Sequence, residues 1–224
     1  MDLIDSIKLI DTNLFLFLNG LNNSFFDAVM FAVSDKLMWI PFYVSVIFIT
    51  IKYWKREAGW IVLALILCIV ISDQVASGVI KGLVQRPRPS HATDLVGLVH
   101  LVNGYTGGRF GFVSSHAANA VGFALLSSLL FKNKKYTLII FSWAALTAYS
   151  RIYLGVHYPL DIIGGTLVGV FSALLCFWLI QKLRPSLLLP QKSNNSTVFA
   201  NTLIPIITLA LTFIFIIILA FTKL

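Results

Sequence analysis

Carboxylates are scarce in this chain: nine Asp and Glu stand against seventeen Lys and Arg among 224 residues, and charged residues make up only 12%. A soluble domain of this length needs more charge than that to cover its surface. With 58% apolar residues and a mean hydropathy of +0.88, lipid must be the solvent for much of the chain. The shortage of acids also argues against a two-metal hydrolase, which needs several carboxylates around its ions. Cysteine is rarer still. Cys68 and Cys176 lie singly in apolar runs without CxxC or metal-ligand spacing, so both read as packing residues. The opening MDLIDSIKLID holds three acids and one lysine, the wrong charge for a signal peptide. Basic helix faces and interleaved aromatics are missing too, so the net charge of +8 does not point to nucleic acid.

What is abundant is apolar sequence in long runs, at roughly 37–54, 59–80, 116–131, 136–154, 160–183 and 199–222. They predict an all-α, polytopic transmembrane bundle of about six spanning helices. Two weaker segments, 13–21 and 24–33, are interrupted by Asn19, Gly20, Asn22 and Asn23. At about ten residues each they are too short to cross and fit interfacial or re-entrant helices. The chain then divides into 1–35 (the N-terminal interfacial helices), 36–184 (a catalytic core) and 185–224 (a Pro- and Ser/Asn-rich connector with a last transmembrane helix). Lys52, Lys55 and Arg56, then Lys132, Lys134 and Lys135, then Lys182, Arg184 and Lys192 concentrate in three links. The positive-inside rule puts those links in the cytoplasm. The loop 82–115 and both termini then face outward from a cytoplasmic membrane, towards periplasm or exterior. The Asn195-Ser-Thr sequon falls on the cytoplasmic side, where glycosylation is not expected.

Three polar clusters sit at the outward helix ends: Lys81-GLVQRP-Arg88-Pro89, then Ser114-Ser115-His116, then Ser150-Arg151-IYLGV-His157-YPL-Asp161. Lys81, Arg88 and Arg151 supply three cations, two of them guanidiniums suited to fork around a tetrahedral oxyanion. Ser114 and the N–H groups opening the third span add neutral donors at a helix N-terminus. Such a cage binds phosphate and stabilises an in-line transition state. His157 and Asp161, four residues apart, face the same way on a helical turn. Asp161 can fix the imidazole tautomer and leave the other ring nitrogen free to attack phosphorus. Pro159 suits the first turn of that helix. His116, from another helix, can protonate the leaving oxygen and then activate water.

These motifs resemble the type 2 phosphatidic acid phosphatase family, whose pattern is K-x6-R-P, then P-S-G-H, then S-R-x5-H-x3-D. Lys81, Arg88 and Pro89 match the first motif, and Ser150, Arg151, His157 and Asp161 match the third. The second matches at Ser114 and His116, with Val113 for its proline and Ser115 for its glycine. The resemblance spans roughly residues 60–182. It implies metal-independent hydrolysis of a lipid phosphate through a phosphohistidine, with no cofactor. His157 would be the nucleophile, Asp161 its orienting partner and His116 the acid/base. Lys81, Arg88, Ser114, Ser115 and Arg151 would hold the phosphate, Ser115 adding a side chain where the family has none. Vanadate-dependent haloperoxidases look similar at the same motifs but are soluble. Undecaprenyl diphosphate ranks first among substrates, because a short chain without an added domain resembles such recycling enzymes. A lipid A phosphate comes next, then phosphatidylglycerophosphate and phosphatidate. The rival from another class is an anionic-solute transporter, against which speak charges gathered at helix ends and the lack of a repeat. Asp73, inside the second span, reads as a buried hydrogen bond between helices. His91, Asp94, His100 and Arg109 occupy the long loop without assigned roles, and that loop is long enough to act as a substrate lid.

Overall fold

The computed structural model describes residues 2–188 and 195–222, so the readings that fell on Lys192, the Asn195 side chain and Lys223 lie outside it. Among the described residues the secondary structure is helical, apart from one isolated bridge between Pro87 and Phe110. The bundle is built around α6 (Ser115–Phe131), whose Ala, Gly and Ser residues let neighbouring helices approach closely. The α4 helix (Ala58–Asp73) continues through a π-helical turn, Gln74–Ile80, into the short α5 (Lys81–Val84). It runs antiparallel to α6: Cys68 and Ser72 meet Gly122, and Lys81 meets Ser115. Lys81 opens α5 directly after the π-helical turn. α7 (Lys134–Tyr153), capped by the Asn133 side chain, also runs antiparallel, with Tyr136 donating to Ser127 at 3.0 Å. α3 (Ile40–Trp54) and α8 (Pro159–Leu183) run parallel to α6. α9 (Asn195–Phe221) covers α3 and α2.

Stretches Lys36–Val84, Pro159–Leu183 and Thr202–Phe221 are long and apolar enough to cross a membrane. The first folds back at Lys55, where φ is +50°, into the two arms α3 and α4. Fewer stretches qualify than the six expected, and position explains it. α6 is 17 residues long and largely shielded by its neighbours, so it needs no lipid-facing apolar coat, while α7 carries Lys134, Lys135 and Arg151. The basic links at Lys55–Glu57, Lys132–Asn133 and Arg184 gather at one end of the bundle. Lys81, Ser114, Arg151 and Pro159 gather at the other.

The N-terminal pair differs from its expected bounds. α1 covers Leu3–Asn19, not 13–21, and meets α2 (Ser24–Ser34) at a bend of 115°. α1 is inside out: Asp11, Phe15 and Asn19 are buried while Leu3, Ile10 and Phe17 face outward. Buried polar groups at both ends of that i, i+4, i+8 stripe defeat a search for apolar residues on the inner face.

The contact that fixes the site is glycine-mediated. A Cβ on Gly165 would lie 2.3 Å from the Ser114 carbonyl oxygen, and one on Gly169 would lie 2.4 Å from that of Ala118. Only bare backbone lets α8 lie this close to α6. Gly165→Val is therefore expected to lower the thermal midpoint in detergent by an amount equivalent to about 1–3 kcal/mol or more. An unchanged midpoint would mean that the helices can part without cost.

Candidate active site

Five of the eight residues singled out by chemistry stand at the starts of α6 and α8 or just before them, and the packing of those two helices brings them together. The Ser114 N–H donates to the Asp161 carbonyl oxygen at 2.9 Å, stitching one helix start to the other. The Ser114 hydroxyl caps α6 by accepting from the Ala117 N–H at 3.4 Å. Pro159 opens α8, and the Asp161 carboxylate turns back to accept from the Tyr158 N–H at 3.1 Å. The same Oδ2 lies 3.1 Å from Nδ1 of His157. Nδ1 is then the protonated nitrogen, and Nε2 carries the free lone pair.

Arginine surrounds that lone pair. Arg88 reaches Nε2 with Nη1 at 3.3 Å and spends Nε on the Phe110 carbonyl at 3.1 Å. Its backbone is held by a return of the long loop: Arg88 N–H to Arg109 O at 3.3 Å, and Gly111 N–H to Arg86 O at 2.9 Å. That return needs glycine. Gly107 has φ +67° and a Cβ there would sit 2.7 Å from Arg88 Nη1, while one on Gly111 would sit 2.7 Å from Asp161 Oδ2. Arg151 is held by Ser34 and by Tyr105 Oη, the latter at 3.2 Å, and its Nε has no partner among the described residues. Lys81 approaches the Ser115 hydroxyl at 3.4 Å. His116 opens onto a cleft of about 520 Å³ that it shares with Arg151, Tyr105, Asp35 and Lys36.

The electrostatics arise from burial and from these cations. His157 is 1% exposed. Burial, then Arg88, Arg151 and Lys81, hold its imidazole well below the usual histidine range, so the ring is neutral at pH 7. A neutral imidazole whose Nε2 is unprotonated carries the lone pair that nucleophilic chemistry uses, here facing Arg88 Nη1, and three cations beside it suit an anion such as a phosphate.

All eight residues thus converge on one end of the bundle. The residues left unassigned do not join them: Arg109 stacks over the Phe110 ring at 5.4 Å, His91 and Asp94 are exposed, and His100 pairs with Asp27 at 2.8 Å. Asp73 accepts from Asn119 at 3.4 Å, joining α4 to α6. Sequence reasoning missed Arg86, Asp11, Ser34, Tyr105 and Lys36. An acid inside an apolar helix was the available signal for Asp11; the others carry no motif.

The chain is similar to known proteins. Over 184 residues the chain is 39% identical to a lipid A 4'-phosphatase of Bacteroides thetaiotaomicron, covering 81% of each protein. It is 42% identical over 164 residues to a lipid A 4'-phosphatase of Porphyromonas gingivalis, covering 72% of this chain and 69% of that one. The crystal structure of a transmembrane phosphatidylglycerolphosphate phosphatase from Bacillus subtilis superposes with a TM-score of 0.63 at 21% identity, over 80% of this chain and 88% of that one, and so shares its fold. Residues 57–185 hold all three motifs and match the PAP2 superfamily, and to that superfamily this multi-pass membrane protein belongs.

Proposed function

We propose that this membrane phosphatase removes a phosphate from the sugar headgroup of a lipid A-type glycolipid through a phosphohistidine on His157. The observation that carries the chemistry is the pairing of Asp161 Oδ2 with His157 Nδ1 at 3.1 Å, which leaves Nε2 unprotonated and facing Arg88. Nε2 attacks phosphorus in line, the P–O bond to the sugar breaks, and His116 delivers a proton to the departing oxygen. Arg88, Arg151, Lys81, Ser114 and Ser115 hold the phosphoryl oxygens as the charge spreads over them. His116 then takes a proton from water, water attacks phosphorus, the P–N bond breaks, and phosphate leaves with His157 restored.

For the substrate, likeness to lipid A 4'-phosphatases along 72% to 81% of the chain outweighs the short length that favoured undecaprenyl diphosphate, and reverses that ranking. The cleft beside His116 suits the reading, since Asp35, Lys36 and Tyr105 offer a sugar both donors and acceptors. The basic links lie at the end opposite the site, which by the positive-inside rule turns the site outward from the cytoplasmic membrane. In the same frame α1 and α2 lie at the outer interface.

The test is phosphate release in detergent with EDTA present, comparing lipid A, undecaprenyl diphosphate, phosphatidylglycerophosphate and phosphatidate. Lipid A is expected to give the highest kcat/KM, with the product lighter by one phosphate. A higher kcat/KM on undecaprenyl diphosphate would restore that lipid as the substrate.

A further inference from the structure

Behind the imidazole and its carboxylate stands a second pair of charges, one at an open position of the first motif and one outside the motifs. Arg86 reaches Asp161 Oδ1 with Nη1 at 3.3 Å and Asp11 Oδ2 with Nη2 at 2.7 Å. Both carboxylates are buried, with side chains 0% and 1% exposed. The guanidinium lies 3.8 Å from the centre of the Tyr158 ring, which fixes its plane. Asp11 comes from α1, and its Oδ1 accepts from the Leu160 N–H at 2.9 Å, so the N-terminal helix is bonded to the first turn of α8. His157, Asp161, Arg86 and Asp11 form one continuous chain of contacts, hydrogen bonds from His157 to Asp161 and from Arg86 to Asp161, and an ion pair from Arg86 to Asp11.

From this arrangement we infer that Arg86 and Asp11 are positioning residues for the nucleophile, acting through Asp161. The inference rests on the phosphohistidine reading. A buried carboxylate with one free oxygen can rotate, and rotation of Asp161 would release the His157 tautomer. Arg86 takes up that second oxygen and stabilises the charge. Asp11 in turn anchors Arg86 from the far side and keeps it off the phosphate. Arg86 thus differs in task from Arg88, two residues on: one turns towards Asp161, the other towards His157 Nε2. Outer partners that orient metal-bound histidines are commonly worth about 10- to 100-fold when removed, and the same scale is expected here.

The experiment measures kcat and KM for phosphate release from the best substrate of the panel. It compares wild type, Arg86→Gln, Arg86→Lys, Asp11→Asn, Asp161→Asn and the Arg86→Gln/Asp161→Asn pair. Arg86→Gln is expected to lower kcat about 10- to 100-fold with KM little changed. Arg86→Lys should recover part of the loss, and in the Asp161→Asn background Arg86→Gln should cost almost nothing more. Asp11→Asn keeps the acceptor for the Leu160 N–H and should lower kcat by a smaller factor; it reads the same coupling if Arg86→Gln does not fold. A rise in KM with kcat spared would make Arg86 a phosphate ligand and overturn the inference, as would losses that multiply with Asp161→Asn. An inactive wild type would instead overturn the lipid-phosphatase reading itself.

Discussion

His157→Ala is expected to cut phosphate release from a lipid phosphate by at least about 10⁴-fold, with the loss in kcat and little change in KM. The proposed phosphate cage keeps its other anchors without this ring. Arg88 keeps its bond to the Phe110 carbonyl, Arg151 keeps Ser34 and Tyr105, and Lys81 keeps Ser115. The proposed attacking lone pair disappears together with the ring's contacts to Asp161 and Arg88, and no described side chain stands ready to replace it at Nε2. What remains is the slow attack of water on a phosphate held by cations, which binding and electrostatic stabilisation alone still favour. Wild-type enzyme quenched during turnover with a radiolabelled substrate should carry acid-labile, alkali-stable label, and His157→Ala should carry none. Label retained by the variant would mean a different nucleophile, and full activity without label would mean direct attack by water.

The fold class and the grouping of the candidate site residues were legible in the sequence for different reasons. Apolar runs announce α3, α4, α8 and α9 because lipid demands apolar outer faces, and the chemistry-bearing residues recur at the ends of those runs. His157 and Asp161 could be paired from their spacing because four residues make one helical turn, and Pro159 marks where that turn begins. α1 was read short because its buried face carries Asp11 and Asn19. Asn19 donates to the backbone carbonyls of Tyr153 and His100, work that hydropathy does not register. Arg86 fills an open position of the first motif and carries no signal of its own, since its two partners come from positions 75 residues away on either side. Its role exists only once α1, α8 and the loop are packed together. The neutral state of His157 was equally out of reach, because burial and three converging cations set it.

His116→Ala separates the two halves of the proposed cycle, and its effect should depend on the leaving group. With a lipid phosphate the departing sugar oxygen is a poor leaving group without a proton, so kcat should fall about 10²- to 10⁴-fold. An aryl phosphate needs no such proton. His157 should therefore still be phosphorylated by it, since His116 touches neither the Asp161 bond to Nδ1 nor the Arg88 contact at Nε2. The second half then fails, because water entering the cleft beside Arg151 and Tyr105 has lost its base. Rapid mixing of His116→Ala with p-nitrophenyl phosphate should release about one equivalent of nitrophenol per enzyme and then nearly stop. His157→Ala should release none in the same time. A burst that runs on into wild-type turnover would remove His116 from the hydrolytic half and limit it to protonating the sugar oxygen. No burst at all would mean that His116 is needed to bind or align the phosphate, and its assignment as acid and base would fall.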